Sequence, residues 1–566
     1  MKKKKFVLPL VTSTAAVLML TACGTGGNEA PTGGGAAAGA GTGAVSEPGG
    51  FGWRGAMPDF SVGDTFRATE PIELSLLFRE LPELAWSDDL LVVDMLREIT
   101  NVNFAGNTTA VGLEDFHTQR QLLIASGQAP EVMPVMYAQY VAQFVPGGAM
   151  LPISEFWHHM PHFQHYATTW GLWDDIEWLR QADGHIYHLP GMQEDVALRF
   201  TVAMRYDILR QLGLAVPDTW DEIRDVLRVV QANFPGVFPY IDRWTLDSTL
   251  NTSARTFGVR FGWGMGNGLI LDHDTLTHAF ITELDGLRQF VEYWHSLIAE
   301  GLLDPESFVE YRGREEFING ETFMTGVFWT DAPVFYVEMA ELLEAGITPG
   351  VFGLEGAEIV TLPVPNGPTG RVGIARLNNG LILNNSIRYR DDFIAILQFI
   401  DWLYYSEEGR EFAMWGQEGV TFERVNGQRQ LLPGFTGAGW GGVDNPAYQD
   451  MFDLGFNTNP FSATHGGSQD LTISVVSENL AQLHIANSTR VPHLPNPNPP
   501  FNTLEQEQAS ILAGQLTSMA NEQVREFIIG RRPMSEWDAF VAEVYAAGVP
   551  RLTELADTAL ARHLGN

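Results

Sequence analysis

The sequence predicts an α/β protein built from more than one unit, and three observations predict it. Short Leu- and Val-rich runs alternate with helical periodicity between residues 73 and 136. A similar pattern starts afresh near Tyr206. The 566 residues, 45% hydrophobic and 11% aromatic, supply enough apolar surface for two or more cores.

Each element follows in order. Glu73-Leu74-Ser75-Leu76-Leu77-Phe78 reads as a buried strand, Leu90-Leu91-Val92-Val93-Asp94-Met95-Leu96 as a helix, and Asn101-Val102-Asn103-Phe104 as a short second strand. Residues 116–126 read as a helix with Leu122, Leu123 and Ile124 apolar, closed by Gly127. Glu131-Val132-Met133-Pro134-Val135-Met136 is the next strand. Strand, helix, strand, helix, strand implies a parallel sheet. In the second stretch, residues 206–213 form a helix closed by Gly213. Pro217-Asp218-Thr219-Trp220-Asp221-Glu222 starts another, with Asp218 or Thr219 as cap and acids in the first turn, running to about Gln231. Further helices are expected at 284–300, 390–405, 407–415, 504–520 and 535–547, with Gly- or Pro-rich loops at 262–268, 434–442 and 491–500.

The N-terminus reads as an export signal. Lysines fill positions 2–5, an apolar run reaches Leu20, and Leu20-Thr21-Ala22-Cys23-Gly24 follows. The Leu-x-Ala-Cys ending resembles the bacterial lipobox, which implies cleavage before Cys23 and lipid on its sulfur. Cys23 is the only cysteine, so no intramolecular disulfide and no Cys-based zinc site is possible. From Cys23 to about Gly50 the chain is mostly Gly, Ala, Thr and Pro, a composition that cannot bury enough apolar surface to order itself and reads as a tether.

The formal net charge is −35, and the four lysines of the signal are the only ones in the chain. Such acidity disfavours nucleic-acid binding, because phosphate is repelled, and leaves a cationic ligand open. The absence of lysine beyond position 5 has no functional explanation in the sequence.

Several segments together resemble the family 1 extracellular solute-binding proteins, the maltose-binding-protein-like group. They are Ala125-Ser126-Gly127-Gln128-Ala129-Pro130-Glu131-Val132, then Asp183-Gly184-His185-Ile186-Tyr187-His188-Leu189-Pro190. Tyr206-Asp207 to Leu212-Gly213 with Pro217 to Glu222 follows, then Phe317-Ile318-Asn319-Gly320-Glu321-Thr322-Phe323-Met324, then Phe399 to Arg410 with Gly416 and Gly419. Each is little more than a helix cap or a Gly turn; five in the family's order carry the resemblance. The region around Trp537, Gly548 and Leu555 resembles the long Gram-positive members.

The resemblance implies a two-lobed periplasmic-binding-protein fold of type II, with a ligand cleft between lobes joined by crossover strands. The expected organisation is a signal peptide at 1–22, a lipid-anchored tether at 23–68, one lobe from 69–195 with 373–418, and the other from 196–372 with 419–566. The crossings are expected near 192–202, 372–382 and Gly419. The implied function is capture of an extracellular solute, most readily an oligosaccharide, and delivery to an ABC permease by a monomer held on the outer face of the cell membrane. Neither cofactor nor metal is expected. Some long relatives carry a Ca²⁺ loop after the Thr-Trp-Asp-Glu helix; Ala232-Asn233-Phe234-Pro235-Gly236-Val237-Phe238 lacks the spaced oxygen ligands for one.

A sugar offers apolar C–H faces and a rim of hydroxyls, which aromatic rings and planar polar groups recognise. Among 15 tryptophans, Trp329 follows the Phe317–Met324 motif, near the place of a sugar-stacking Trp in the family. Trp263 lies between Gly262 and Gly264, and Trp440 lies in Gly439-Trp440-Gly441. Tyr137 ends a strand at the carboxyl edge where open α/β sheets bind ligands. Asp331 and Arg205 complete the candidate ligand set. Core packing is the competing reading for each, and the favoured one for Trp402 and Trp537.

His158, His159, His162 and His165 have spacings that suit a metal on one helix face, but Pro161 interrupts them and a solvated aromatic helix or loop is the favoured reading. No zincin, nucleophile-elbow or Walker motif occurs. The alternatives are a binding protein for a peptide or cationic solute, a sensor lipoprotein, and a glycan-hydrolysing surface enzyme.

Overall fold

Two large hydrophobic cores, each assembled on its own sheet and joined by a smaller cluster on that sheet, organise the described residues. The computed structural model describes residues 50–565 apart from 81–83, 113–114, 136–140, 146, 195–199, 329–330, 373–375, 437–448, 459–460, 462–465, 469–485, 487–488 and 495.

The first sheet has six strands in the order Gly466–Gly467, His188–Gln193, Leu377–Leu383, Val132–Val135, Leu76–Glu80, Thr108–Gly112. Leu76–Glu80 pairs parallel with both of its neighbours. Leu377–Leu383 is antiparallel to both of its own. The pairings among the strands of residues 72–135 are thus parallel, as expected, and the sheet as a whole is mixed only through Leu377–Leu383: a strand that comes back from the second sheet needs no crossover helix and can enter from the opposite end. Over this sheet lies helix Phe393–Tyr405, all thirteen residues of which are buried. Apart from the buried Gln398 and Asp401 the helix is apolar all round, and it has no solvent face to present.

The second sheet has three antiparallel strands, Met324–Phe328, Phe200–Arg205 and Ile359–Thr361. Its core joins Val202 and Met204 to Trp220, Trp294, Leu516, Phe527, Trp537 and Phe540. Helix Trp220–Asn233 starts at a capping box in which Thr219 accepts from the Glu222 N–H and Glu222 accepts from the Thr219 N–H. The C-terminal helices are Thr503–Ile528, longer than expected, Trp537–Ala546, and Val549–His563, which periodicity did not single out. Trp402 and Trp537 are buried packing residues, 1% and 5% exposed.

Two expected boundaries move. Phe51, Trp53 and Phe60 pack against the first core, Phe66 lies within it, and Arg54 pairs with Asp392 at 2.7 Å, so folded structure begins well before residue 69. Residues beyond Gly419 also stay with the first core. Met451, Phe452, Phe456 and Phe461 are buried in it, and Gly466–Gly467 pairs with the His188–Gln193 strand. The aromatic side chains decide this, with Phe456 against Phe412 at 5.9 Å. The chain is back on the second core by Arg490, which pairs with Asp218, and Asn496, whose side chain bonds the backbone of Leu269 and Leu271.

The histidine segment is structural. Pro161 opens the helix Pro161–Thr169, as its fixed φ allows. Asp401, fully buried, accepts from the N–H groups of His162 and Phe163 at 2.9 and 2.8 Å and from His162 Nδ1 at 2.9 Å. An anion thus caps a helix N-terminus inside the core, and the His162 ring is used up by Asp401 and the Gly63 N–H. Among the described residues no group of three or more His, Cys, Asp or Glu side chains is placed to hold a metal, and no helix is long and apolar enough to cross a membrane.

Candidate functional aromatic site

The strand Phe200–Arg205 of the second sheet follows the His188–Gln193 strand of the first sheet in the chain. Its first residue, Phe200, lies opposite Phe328, the last residue of the neighbouring strand. The two rings pack edge-on with centroids 5.4 Å apart. Such cross-strand aromatic pairs are a normal way to stabilise a sheet edge. Here the pair gains two further rings. Trp244 stands edge-on to Phe200 at 5.3 Å, Trp263 does the same at 5.3 Å, and the two indoles meet at 5.9 Å. None of the four is fully buried, and Trp263 is 38% exposed.

An unusual backbone delivers Trp244. Trp244, Thr245 and Leu246 have φ of 51°, 52° and 66°, three successive non-glycine residues in the left-handed region. L-residues avoid it at a cost of roughly 1–2 kcal/mol each. The surroundings impose this run. Immediately before it, the buried Asp242 carboxylate accepts from the Tyr240 hydroxyl at 2.8 Å and from the N–H groups of Arg243 and Gly326 at 2.8 and 2.7 Å. Gly326 belongs to the Met324–Phe328 strand, and a Cβ there would sit 2.1 Å from Asp242 Oδ1. Immediately after the run, helix Asp247–Thr256 begins. Gly262 (φ 58°) lets the Trp263 loop press onto that helix, since a Cβ would meet the Asp247 carbonyl oxygen at 2.3 Å.

Charge is fixed behind the rings. The Arg243 guanidinium lies 4.0 Å from the Trp244 ring centroid and donates to Asp331 Oδ2 at 2.5 Å. The same oxygen accepts the Phe328 N–H at 2.8 Å. Burial pushes the Asp331 carboxyl up and the Arg243 guanidinium down, and their attraction opposes both. The arrangement offers an apolar, partly open aromatic floor with a paired charge beneath it, suited to holding a ring-shaped ligand.

Of the residues expected from the sequence, Trp263 is part of this floor. Asp331 lies beside it but is buried, with Oδ2 engaged by Arg243 and Phe328. Arg205 does not come near: it is at the other end of its strand, five residues or roughly 17 Å from Phe200. It is wholly buried, with its guanidinium on Asp207 (2.7 and 2.9 Å) and the carbonyl oxygens of Phe352 and Gly353. Its role in the fold is a buried ion pair. Trp329, Tyr137 and Trp440 lie outside the described residues. The sequence reading did not single out Phe200, Trp244 or Phe328; the adjacency of Phe328 to Trp329 was the only signal for any of them.

No protein-family model matches the chain, and no curated protein matches it. Solved structures do. An alginate-binding protein without calcium ion is 17% identical with a TM-score of 0.64, covering 88% of this chain and 99% of its own. An HMO-binding, ABC-transporter-associated solute-binding protein from Bifidobacterium longum infantis is 16% identical with a TM-score of 0.58, covering 87% and 99%. An N-glycan transport solute-binding protein from Streptococcus pneumoniae is 14% identical with a TM-score of 0.57, covering 88% and 100%. The chain has the two-lobed α/β fold of extracellular solute-binding proteins.

Proposed function

We propose that the protein is the solute-binding subunit of a bacterial ABC importer, anchored through lipid on Cys23 to the outer face of the cell membrane. It captures a neutral oligosaccharide and hands it to a permease without altering it. The observation that carries this reading is the partly open floor of Phe200, Trp244, Trp263 and Phe328 beside the first crossing between sheets. Trp329, next to Phe328 in sequence, and Trp440, between two glycines, stay in the proposed ligand set with Tyr137; Asp331 serves by fixing Arg243. Ligand that touches both lobes stabilises the closed state, because only that state contacts it from both sides.

The chemistry favours a sugar over a cation. Aromatic faces attract both, but Arg243 already covers Trp244, and a cationic ligand there meets a like charge. Printed names of similar folds, for alginate, HMO and N-glycan binding, all refer to saccharides; alginate is a polyanion, so they support the sugar, and its neutrality rests on the paired charge of Arg243 and Asp331.

The test is a thermal-shift screen of the full chain carrying Cys23→Ser, against neutral oligosaccharides, peptides and polyamines. A glycan at a hundredfold excess over its Kd stabilises the fold by about 2.7 kcal/mol. A shift with peptides or polyamines and none with glycans overturns the sugar assignment. Fatty-acid labelling of the wild-type chain, lost in Cys23→Ser, checks the anchor.

A further inference from the structure

We infer that the C-terminal helix Thr503–Ile528 builds a second sugar subsite on the flank of Trp263, so that the ligand is longer than the aromatic floor alone can hold. This rests on the oligosaccharide reading above.

Trp263 touches the aromatic floor and also lines an open, solvent-facing cavity of about 310 Å³. Opposite it stand Gly514, Thr517, Ser518 and Asn521 of the helix, with Asp247 beside them. That volume is at the lower end of small-molecule sites, which span roughly 300–1,000 Å³; it has room for one sugar ring rather than a whole oligosaccharide. The lining has what a pyranose requires: one indole and a rim of hydroxyl, amide and carboxylate groups. Asp247 is paired with Arg525, so the subsite carries no net charge. Arg525 also donates to Asn521 Oδ1 at 3.2 Å. One cation thereby orients both planar groups and leaves Asp247 Oδ2 and the Asn521 amide nitrogen without a protein partner among the described residues.

A second observation concerns the backbone of the cavity wall. Gly514 sits in the interior of a 26-residue helix, where glycine costs helix stability. Nothing requires it there: a Cβ at Gly514 would meet no atom within 4 Å. Close packing explains Gly262 and Gly326 but not Gly514. Its position on the cavity wall does, because any side chain would project into the space a ligand ring fills.

The experiment uses calorimetric titration of the full chain (Cys23→Ser) with fructo-, manno- and xylo-oligosaccharides of two to six residues, compared with the same chain carrying Gly514→Leu. The background protein is expected to gain about tenfold in affinity at the length that first fills the cavity. Gly514→Leu abolishes that step, leaves the shorter sugars within twofold, and keeps or raises the melting temperature. Asn521→Ala, which leaves the helix intact, reduces the same step. Binding that rises with length identically in the variants, or does not depend on length, overturns the subsite alone. Failure of every sugar to bind the background protein overturns the oligosaccharide reading and the subsite with it.

Discussion

Two aromatic clusters of similar geometry have different uses. In the first core, Trp157 packs on Phe163 at 5.5 Å and on Trp173 at 5.3 Å, and Phe163 packs on Tyr405 at 5.0 Å. Beside the second sheet, Phe200, Trp244, Trp263 and Phe328 repeat those spacings. The first cluster is anchored on two rings with no exposed surface and on a regular helix capped by Asp401. The second has no fully buried ring, hangs on a left-handed run, and borders a cavity. Ring density therefore says nothing about binding; exposure together with backbone held against its preference does.

The largest expected effect tests the packing side. Trp402 belongs to the same buried helix as Tyr405 and donates from Nε1 to Glu408 at 3.0 Å. Trp402→Ala should lower stability by about 3–5 kcal/mol through the cavity it leaves, read by urea denaturation, while the molecules that remain folded bind glycan as before. Trp244→Ala should do the reverse, weakening the bound glycan by about 2 kcal/mol, or about thirtyfold in Kd, with a stability loss well below that of Trp402→Ala. If Trp244→Ala unfolds the protein and leaves affinity intact, the second cluster is packing like the first.

How far the sequence reveals these clusters follows from where each constraint comes from. Helix 220–233 is legible because Thr219 announces it as a cap within one turn. Trp263 is legible because glycines flank it. Trp244 is not: Asp242-Arg243-Trp244-Thr245 contains no Gly, Asn or Pro to mark positive φ, and the conformation is imposed from Gly326, 84 residues away. The last crossing is misread for the same reason. Its place depends on which core takes Phe452, Phe456 and Phe461, and local periodicity carries no such information. The resemblance gives the two-lobed fold because small motifs in order encode topology; it gives no register for rings that meet through tertiary contacts.

Acid sharpens the comparison. His188, in the strand that leads out of the first sheet, is fully buried, and burial pushes its imidazole down to about 4 from 6.5. A raising contact from the Asn379 backbone and the Arg120 charge are the lesser influences. The unfolded chain then binds the extra proton between those values, so stability is lost as pH falls from 6.5 toward 4, by about 2 kcal/mol between pH 7 and 5. Asp242 and Asp401, whose buried carboxyls are pushed up, act in the opposite sense. Comparing wild type with His188→Gln cancels them. The variant should show a shallower loss of stability over this window, measured by urea midpoint against pH, and an identical slope would show that His188 is not what the acid attacks.

The smallest effect isolates the strain. Thr245 is β-branched and left-handed (φ 52°, ψ 35°), a conformation its side chain resists. Glycine adopts it freely but gives the unfolded chain more freedom, about 0.5–1 kcal/mol, against roughly 1–2 kcal/mol of relief. Thr245→Gly should therefore raise stability by somewhat under 1 kcal/mol in urea denaturation. If the run exists to hold Trp244 in place, the same substitution loosens the indole and weakens glycan binding severalfold. Stability and affinity then move in opposite directions, which a purely structural loop does not produce. A variant that is both less stable and equally tight would place Trp244 with the packed rings of the first core, and would leave Trp263 as the aromatic residue on which binding at this edge depends.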